Sequence, residues 1–126
     1  VLIIGAAYKK NVDDMRESPS LAIMQGFLKN NVKFEYHDPY IDEISKLRNY
    51  NFKKKSINLT SKNIKKFYIT LIVTDHDIIN YNLLLKNSKI IIDTRGKFFN
   101  NSSEKLYLYE KICADRSFWI YCAKTF

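Results

Sequence analysis

Apolar positions along this chain fall in short runs separated by polar, turn-rich segments, and strand-like and helix-like periods alternate. Residues 1–4, Val-Leu-Ile-Ile, form an apolar run with the length and β-branched content of a buried strand. Gly5, Ala6 and Ala7 let the backbone turn closely. The loop that follows is dense in both signs of charge, with Lys9, Lys10, Asp13, Asp14, Arg16 and Glu17. Ser18 is placed to cap a helix with Pro19 at its first position. Leu21, Met24 and Leu28, with Ile23 and Phe27 beside them, give that helix a broad apolar face up to Asn30. Val32, Phe34 and Tyr36 alternate as a second strand, and His37-Asp38-Pro39-Tyr40 turns at its end because proline stops strand pairing.

The alternation continues downstream. Residues 42–49 read as a short helix and residues 56–59 as a short strand or extended piece. Thr60 or Ser61 caps a helix running through Phe67, and residues 68–74 make a strongly apolar central strand ending in Asp75-His76-Asp77. Residues 81–87 carry Leu83, Leu84 and Leu85 on a further helix, and residues 89–93 form the next strand, closed by Thr94-Arg95-Gly96. This order predicts an α/β fold: a Rossmann-like three-layer domain with a mainly parallel sheet and crossover helices. Beyond Arg95 the pattern weakens. Residues 100–103 read as a loop and 104–114 as a moderately amphipathic helix, while the aromatic-rich residues 118–123 suit an edge strand or an assembly surface equally.

A parallel sheet would bring four loops to one edge: residues 6–17, 37–40, 74–77 and 94–96. They carry Lys9, Arg16 and Arg95, with Asp13, Asp14, Asp38, Asp75, Asp77 and Asp93 beside them. Such cations pair with pyrophosphate or a sugar carboxylate through charge-assisted hydrogen bonds. The aspartates orient those cations or fix loop backbone.

Composition narrows the partners. At 126 residues the chain has the length of one domain, and its 46% hydrophobic and 27% charged fractions suit a soluble globular protein. No apolar run approaches the roughly 20 residues that span a bilayer, and no signal peptide is visible, so neither a membrane partner nor a secretory route is expected. The chain starts inside a strand without an initiator Met, from which we expect a piece of a longer polypeptide. The net charge of +8 suits an anionic partner. Its excess is nearly all Lys, scattered over several elements, and the densest runs, at 53–55 and 62–66, contain no Arg. That favours a solvated surface over a nucleic-acid interface. Cys113 and Cys122 lie far in sequence from His37 and His76, so nothing has metal-ligand spacing. A disulfide between the two cysteines stays open on sequence, but buried or half-buried thiols of a cytosolic protein are the favoured reading.

Ala-Tyr-Lys-Lys-Asn-Val-Asp-Asp-Met-Arg-Glu-Ser-Pro-Ser, residues 7–20, resembles the opening of the C-terminal domain of the UDP-glucose/GDP-mannose dehydrogenase family. The resemblance continues through residues 37–40, 55–60, 71–77, 80–81 and 91–96, and is strongest to members that oxidise UDP-N-acetylhexosamines. It divides the chain into a family domain, 1–97, and a divergent extension, 98–126, packed on the same domain. What it implies is a part of a cytoplasmic, NAD-dependent oxidoreductase of polysaccharide biosynthesis, which oxidises the C6 alcohol of a UDP-sugar to a carboxylate. Tyr8 and Lys9 fall where the family sets an aromatic-lysine pair against the nucleotide sugar, the lysine near its reacting end. Arg95 falls on a second sugar-contacting position, and Arg16 where an arginine meets the NAD pyrophosphate across a domain interface. Asp14, Glu17 and Ser18 belong to the motif as salt-bridge partner, loop anchor and cap. His76 reads as structural rather than as a general base. The family's nucleophilic cysteine and glycine-rich NAD turn belong to earlier domains: Gly5-Ala6-Ala7 is not that turn, and neither Cys113 nor Cys122 sits in the nucleophile's context. The implied partners are the UDP-sugar, the N-terminal and central domains of the same polypeptide, and further copies in a homo-oligomer. On residues alone, a nucleotide- or anion-binding module that stands without catalysis remains open.

Overall fold

The computed structural model describes residues 1–45 and 47–108. Five strands form one sheet: β1 (Leu2–Ile4), β2 (Glu35–His37), β5 (Ile69–Ile72), β6 (Ile90–Asp93) and β7 (Leu106–Leu108). Their order is β2-β1-β5-β6-β7, and every neighbouring pair is parallel. Three helices cross between them, α1 (Pro19–Lys29), α2 (Ser61–Ile64) and α3 (Tyr81–Asn87). A separate antiparallel pair, β3 (Glu43–Ile44) with β4 (Lys54–Lys55), lies beyond β2, to which Ser56 is bridged through Tyr36.

The short apolar run at the start becomes the centre of the sheet because both of its faces are covered. Leu2, Ile3 and Ile4 are all fully buried. Ile3 packs with Leu21 and Met24 of α1 and with Phe34, Tyr36 and Ile44. Leu2 and Ile4 pack on the opposite face with Ile64 of α2, Leu84 of α3, and Ile72, Ile91 and Leu106. Two cores, one on each side of the sheet, make the three layers. Among the described residues, no helix is long and apolar enough to cross a membrane.

Local chemistry sets the entry to α1. The Ser18 side chain accepts from the Ser20 N–H and Pro19 takes the first helical position. The Ser20 hydroxyl then donates to the Gly5 carbonyl at 2.6 Å, tying the first helical turn to the end of β1. Gly5 sits at φ 89, and a Cβ there would overlap the Thr74 carbonyl oxygen. That close crossing needs glycine on both counts.

Two expected helices are replaced. Residues 42–49, read as a short helix, instead contain β3, and Leu47 is bridged to Tyr50. The cause is tertiary: the Ser56 N–H donates to the Asp42 carbonyl, and the Tyr36 hydroxyl holds the Ile41 carbonyl at 3.0 Å, so the segment is drawn out along its partner. The expected helix at 104–114 gives way to β7 at Leu106–Leu108, which supplies the pairing groups that β6 would otherwise leave open at the sheet edge. Phe98 and Leu106, beyond the expected domain boundary at 97, are both buried in the second core. The remainder of that helix, Cys113, Cys122 and residues 118–123 lie outside the described residues.

Candidate functional site

Strand order reverses between β1 and β5, since β1 leads through α1 to β2 on one side and β5 through α3 to β6 on the other. The crevice at the carboxyl ends of those two strands is where open α/β sheets admit ligands. All four loops identified in the sequence leave this edge, as the parallel pairing requires.

The floor of the edge is occupied by the protein's own carboxylate. Asp38, buried at the end of β2, accepts from the backbone N–H groups of Ala6 and Ala7 at 2.7 and 3.0 Å through Oδ2. Its Oδ1 accepts from the Tyr40 and Ile41 N–H groups at 2.8 and 3.2 Å. In dinucleotide-binding sheets the N–H groups of this first turn face a ligand pyrophosphate. Here they are already spent on an internal anion, so a ligand phosphate has no seat at the turn. Burial alone would raise the Asp38 pKa, but the hydrogen bonds from His76 and from the Tyr40, Ala6 and Ala7 amides outweigh it and hold the carboxyl below its ordinary value.

His76 is fully buried beside Asp38, its Nε2 lying 2.9 Å from Oδ2. Its Nδ1 accepts from the Asn11 N–H at 2.8 Å, which places the ring proton on Nε2, donated to Asp38. Both nitrogens are engaged, so the ring offers nothing to a reacting group. Asn11 stands at φ 61 and clasps the third loop a second time: its Nδ2 donates to Asp77 at 2.7 Å and its Oδ1 accepts from the Asp77 N–H at 3.0 Å. Lys10 at 3.4 Å and Lys97 at 4.0 Å also reach Asp77, joining the first, third and fourth loops. The Tyr81 hydroxyl donates to the His76 carbonyl at 2.8 Å, and Lys97 lies over the Tyr81 ring.

Above this floor lie the groups read from the sequence. Tyr8 is 49% exposed, with Lys9 Nζ 5.5 Å from its ring centroid. Among the described residues Lys9 makes no ion pair, so its ammonium is open to an anion. Arg95 is half exposed and gives Nε to Asp75 at 3.2 Å, while no described residue takes its terminal nitrogens. Asp93, buried under it, accepts from the Arg95 and Phe98 N–H groups and shapes that loop. The Tyr40 ring, partly exposed, lies 4.9 Å from that of His76.

Arg16 lies on the same first loop, in which the Tyr8 N–H donates to the Asp14 carbonyl at 2.7 Å. Its side chain is 87% exposed and engages Asp14, two residues earlier, through Nε and Nη2 at 3.0 and 2.9 Å. Those hydrogen bonds hold the Asp14 carboxyl down at about 2. Among the described residues nothing else touches the guanidinium, and no three His, Cys, Asp or Glu side chains gather as metal ligands. The sequence reading missed Asn11, Tyr40 and Lys97. Asn11 had a usable signal, since asparagine is the side chain that most readily adopts a left-handed turn and bonds its surroundings there.

Comparison with known proteins agrees with this architecture. The family model described as UDP-glucose/GDP-mannose dehydrogenase family, UDP binding domain, matches residues 2–100. A UDP-N-acetyl-D-mannosamine dehydrogenase of Methanococcus aeolicus is 28% identical over 94% of this chain and 27% of its own length. The protein of that name from Methanococcus vannielii is 32% identical over 68% of this chain and 24% of its own length. Among solved structures, the UDP-N-acetyl-mannosamine dehydrogenase of Staphylococcus aureus superposes with a TM-score of 0.63 at 25% identity, over 90% of this chain and 26% of that one. The chain thus spans about a quarter of the length of the relatives it matches. With a family match over residues 2–100 and a parallel sheet whose ligand edge is built by the motif itself, the chain belongs to the UDP-glucose/GDP-mannose dehydrogenase family, as its UDP binding domain.

Proposed function

We propose that this chain is the sugar-nucleotide-holding part of a cytoplasmic, NAD-dependent UDP-sugar 6-dehydrogenase of polysaccharide biosynthesis, whose substrate is a UDP-N-acetylhexosamine. The observation that carries the reading is the match to a UDP binding domain combined with open donors at the ligand edge. Lys9 Nζ and the terminal nitrogens of Arg95 have no anionic partner among the described residues, and Tyr8 lies beside Lys9. Arg95 grips the diphosphate or sugar, Tyr8 packs against the nucleotide sugar, and Lys9 stands toward the carbon being oxidised. The relatives' names supply the choice of an N-acetylated hexosamine.

NAD enters this domain only at its margin. The first-turn amides are taken by Asp38, so the residues here do not fit a complete dinucleotide cradle. Arg16 does fit a single contact to a pyrophosphate held mainly by another domain, because its guanidinium is extended into solvent and braced by Asp14. Hydride acceptance is the chemistry NAD supplies when bound. The nucleophile and most of the cofactor site belong to N-terminal and central domains of the same polypeptide, and the assembled enzyme is a homo-oligomer.

Calorimetric titration of the chain with UDP tests the reading. Saturable binding is expected, and Arg95→Ala should weaken it about tenfold to a hundredfold, the effect of losing a charge-assisted contact of roughly 1.5–3 kcal/mol. Failure of the unmodified chain to bind UDP would refute it.

A further inference from the structure

His76 is fully buried, yet it joins three of the four loops. Its Nε2 faces Asp38 of the second loop at 2.9 Å, and its Nδ1 receives the Asn11 N–H of the first loop at 2.8 Å. The residue itself stands in the third loop. Asn11 is two residues from Lys9, in a left-handed turn at φ 61. The bond from its N–H to His76 is thus one of the contacts fixing the turn that presents Lys9.

We propose that His76 is a positioning residue for the UDP-sugar site: through Nδ1 it holds the Asn11 turn, and with it Lys9, in the ligand-binding arrangement, and the Asp38 carboxylate keeps its proton on the far nitrogen. This rests on the reading of the edge as a UDP site and adds how the first loop is held there. The Asn11 N–H needs an acceptor at Nδ1, so removing that atom frees the first loop. Other groups also face the imidazole. Asp38 lies on one side of it and the Tyr40 ring packs at 4.9 Å. Around its backbone stand the Tyr81 hydroxyl, bonded to its carbonyl, and Asp77, flanked by Lys10 and Lys97. Four backbone amides and the imidazole stabilise the Asp38 charge. Loss of the Nδ1 acceptor therefore breaks the Asn11 side of the clasp.

Two variants of the full chain test this, read by hydrogen exchange at the Asn11 amide and by UDP affinity. The carboxamide of His76→Gln carries an acceptor and a donor. It should keep Asn11 protected and UDP bound. His76→Phe removes both polar atoms; it should expose the Asn11 amide and weaken UDP about tenfold, the effect of one lost hydrogen bond. Equal Asn11 protection in His76→Phe and the unmodified chain would overturn the proposal. So would a freed Asn11 amide with unchanged UDP affinity, since the turn would then not serve the ligand. If His76→Phe does not fold, an Asn11 amide freed in His76→Gln with UDP affinity unchanged overturns it as well. If the unmodified chain binds no UDP, the functional reading fails and the ligand half of the proposal with it. Asn11 exchange then still decides whether His76 holds the turn.

Discussion

Asp38 is the residue on which the ligand edge rests. Its two oxygens accept from the amides of Ala6, Ala7, Tyr40 and Ile41 and from His76, so one buried charge orders the ends of β1, β2 and β5 together. Asp38→Asn keeps the shape but turns one oxygen into an NH2 that opposes existing donors. A loss of at least about 3 kcal/mol is expected at neutral pH, measured by urea unfolding, because buried donors lose a charged acceptor. The pH dependence has a definite sign. The folded pKa of Asp38 is depressed, so its contribution is present above the unfolded value of roughly 3.9 and is lost as pH falls through the folded one. Unmodified protein should therefore lose stability below about pH 4, and the Asn variant should show a flatter profile over the same range. A steep acid limb retained in the variant would assign that dependence to other carboxylates.

At the scale of elements, the turn from β1 to α1 is where sequence and structure agree most closely, because each of its signals is local. Ser18 caps, Pro19 opens the helix, and Gly5 turns. Gly5→Ala should cost several kcal/mol, roughly 3 or more, since it combines a positive φ with a clash against Thr74 backbone that cannot move without shifting β5. Thermal unfolding measures this, and a fall in melting temperature of only a degree or two would show that the crossing can open. The parallel core strands were legible because Val, Leu and Ile runs bounded by Gly, Pro and Asp leave little choice. Residues 42–49 were not, because Ile44 and Leu47 have helical spacing in sequence while their conformation is decided by distant partners, Tyr36 and Lys54–Lys55. β7 escaped for the same reason: its three residues are ordered by pairing with β6, not by a pattern of their own. At the site, the charged residues were visible from their place after each strand, whereas the clasp by Asn11 and the two-sided use of His76 depend on loops that meet only in the fold.

For the whole molecule, the division of labour follows from what the ligand edge contains and how it is already used. The first turn of the sheet is sealed by an internal carboxylate, and the His76 imidazole is engaged on both nitrogens. A domain built this way is expected to bind and orient the sugar nucleotide rather than oxidise it unaided. The purified chain with NAD and UDP-N-acetylmannosamine should therefore produce no NADH above background, and measurable production would contradict the reading directly. Within the complete enzyme the three cations should separate in steady-state kinetics. If Arg95 holds the nucleotide sugar equally in ground and transition states, Arg95→Ala raises the KM for sugar with little change in kcat. If Lys9, open to an anion beside Tyr8, faces the reacting end as proposed, Lys9→Ala should lower kcat more than it raises KM, because a cation there stabilises charge developing on oxygen. Arg16 is braced by Asp14 and extended into solvent. Arg16→Ala should raise the KM for NAD alone, and Arg16→Lys should recover only part of it, since an ammonium cannot bond both to Asp14 and to a phosphate with the same planar fork. An Arg16→Ala enzyme that kept its KM for NAD but bound sugar more weakly would move that loop from the cofactor to the substrate.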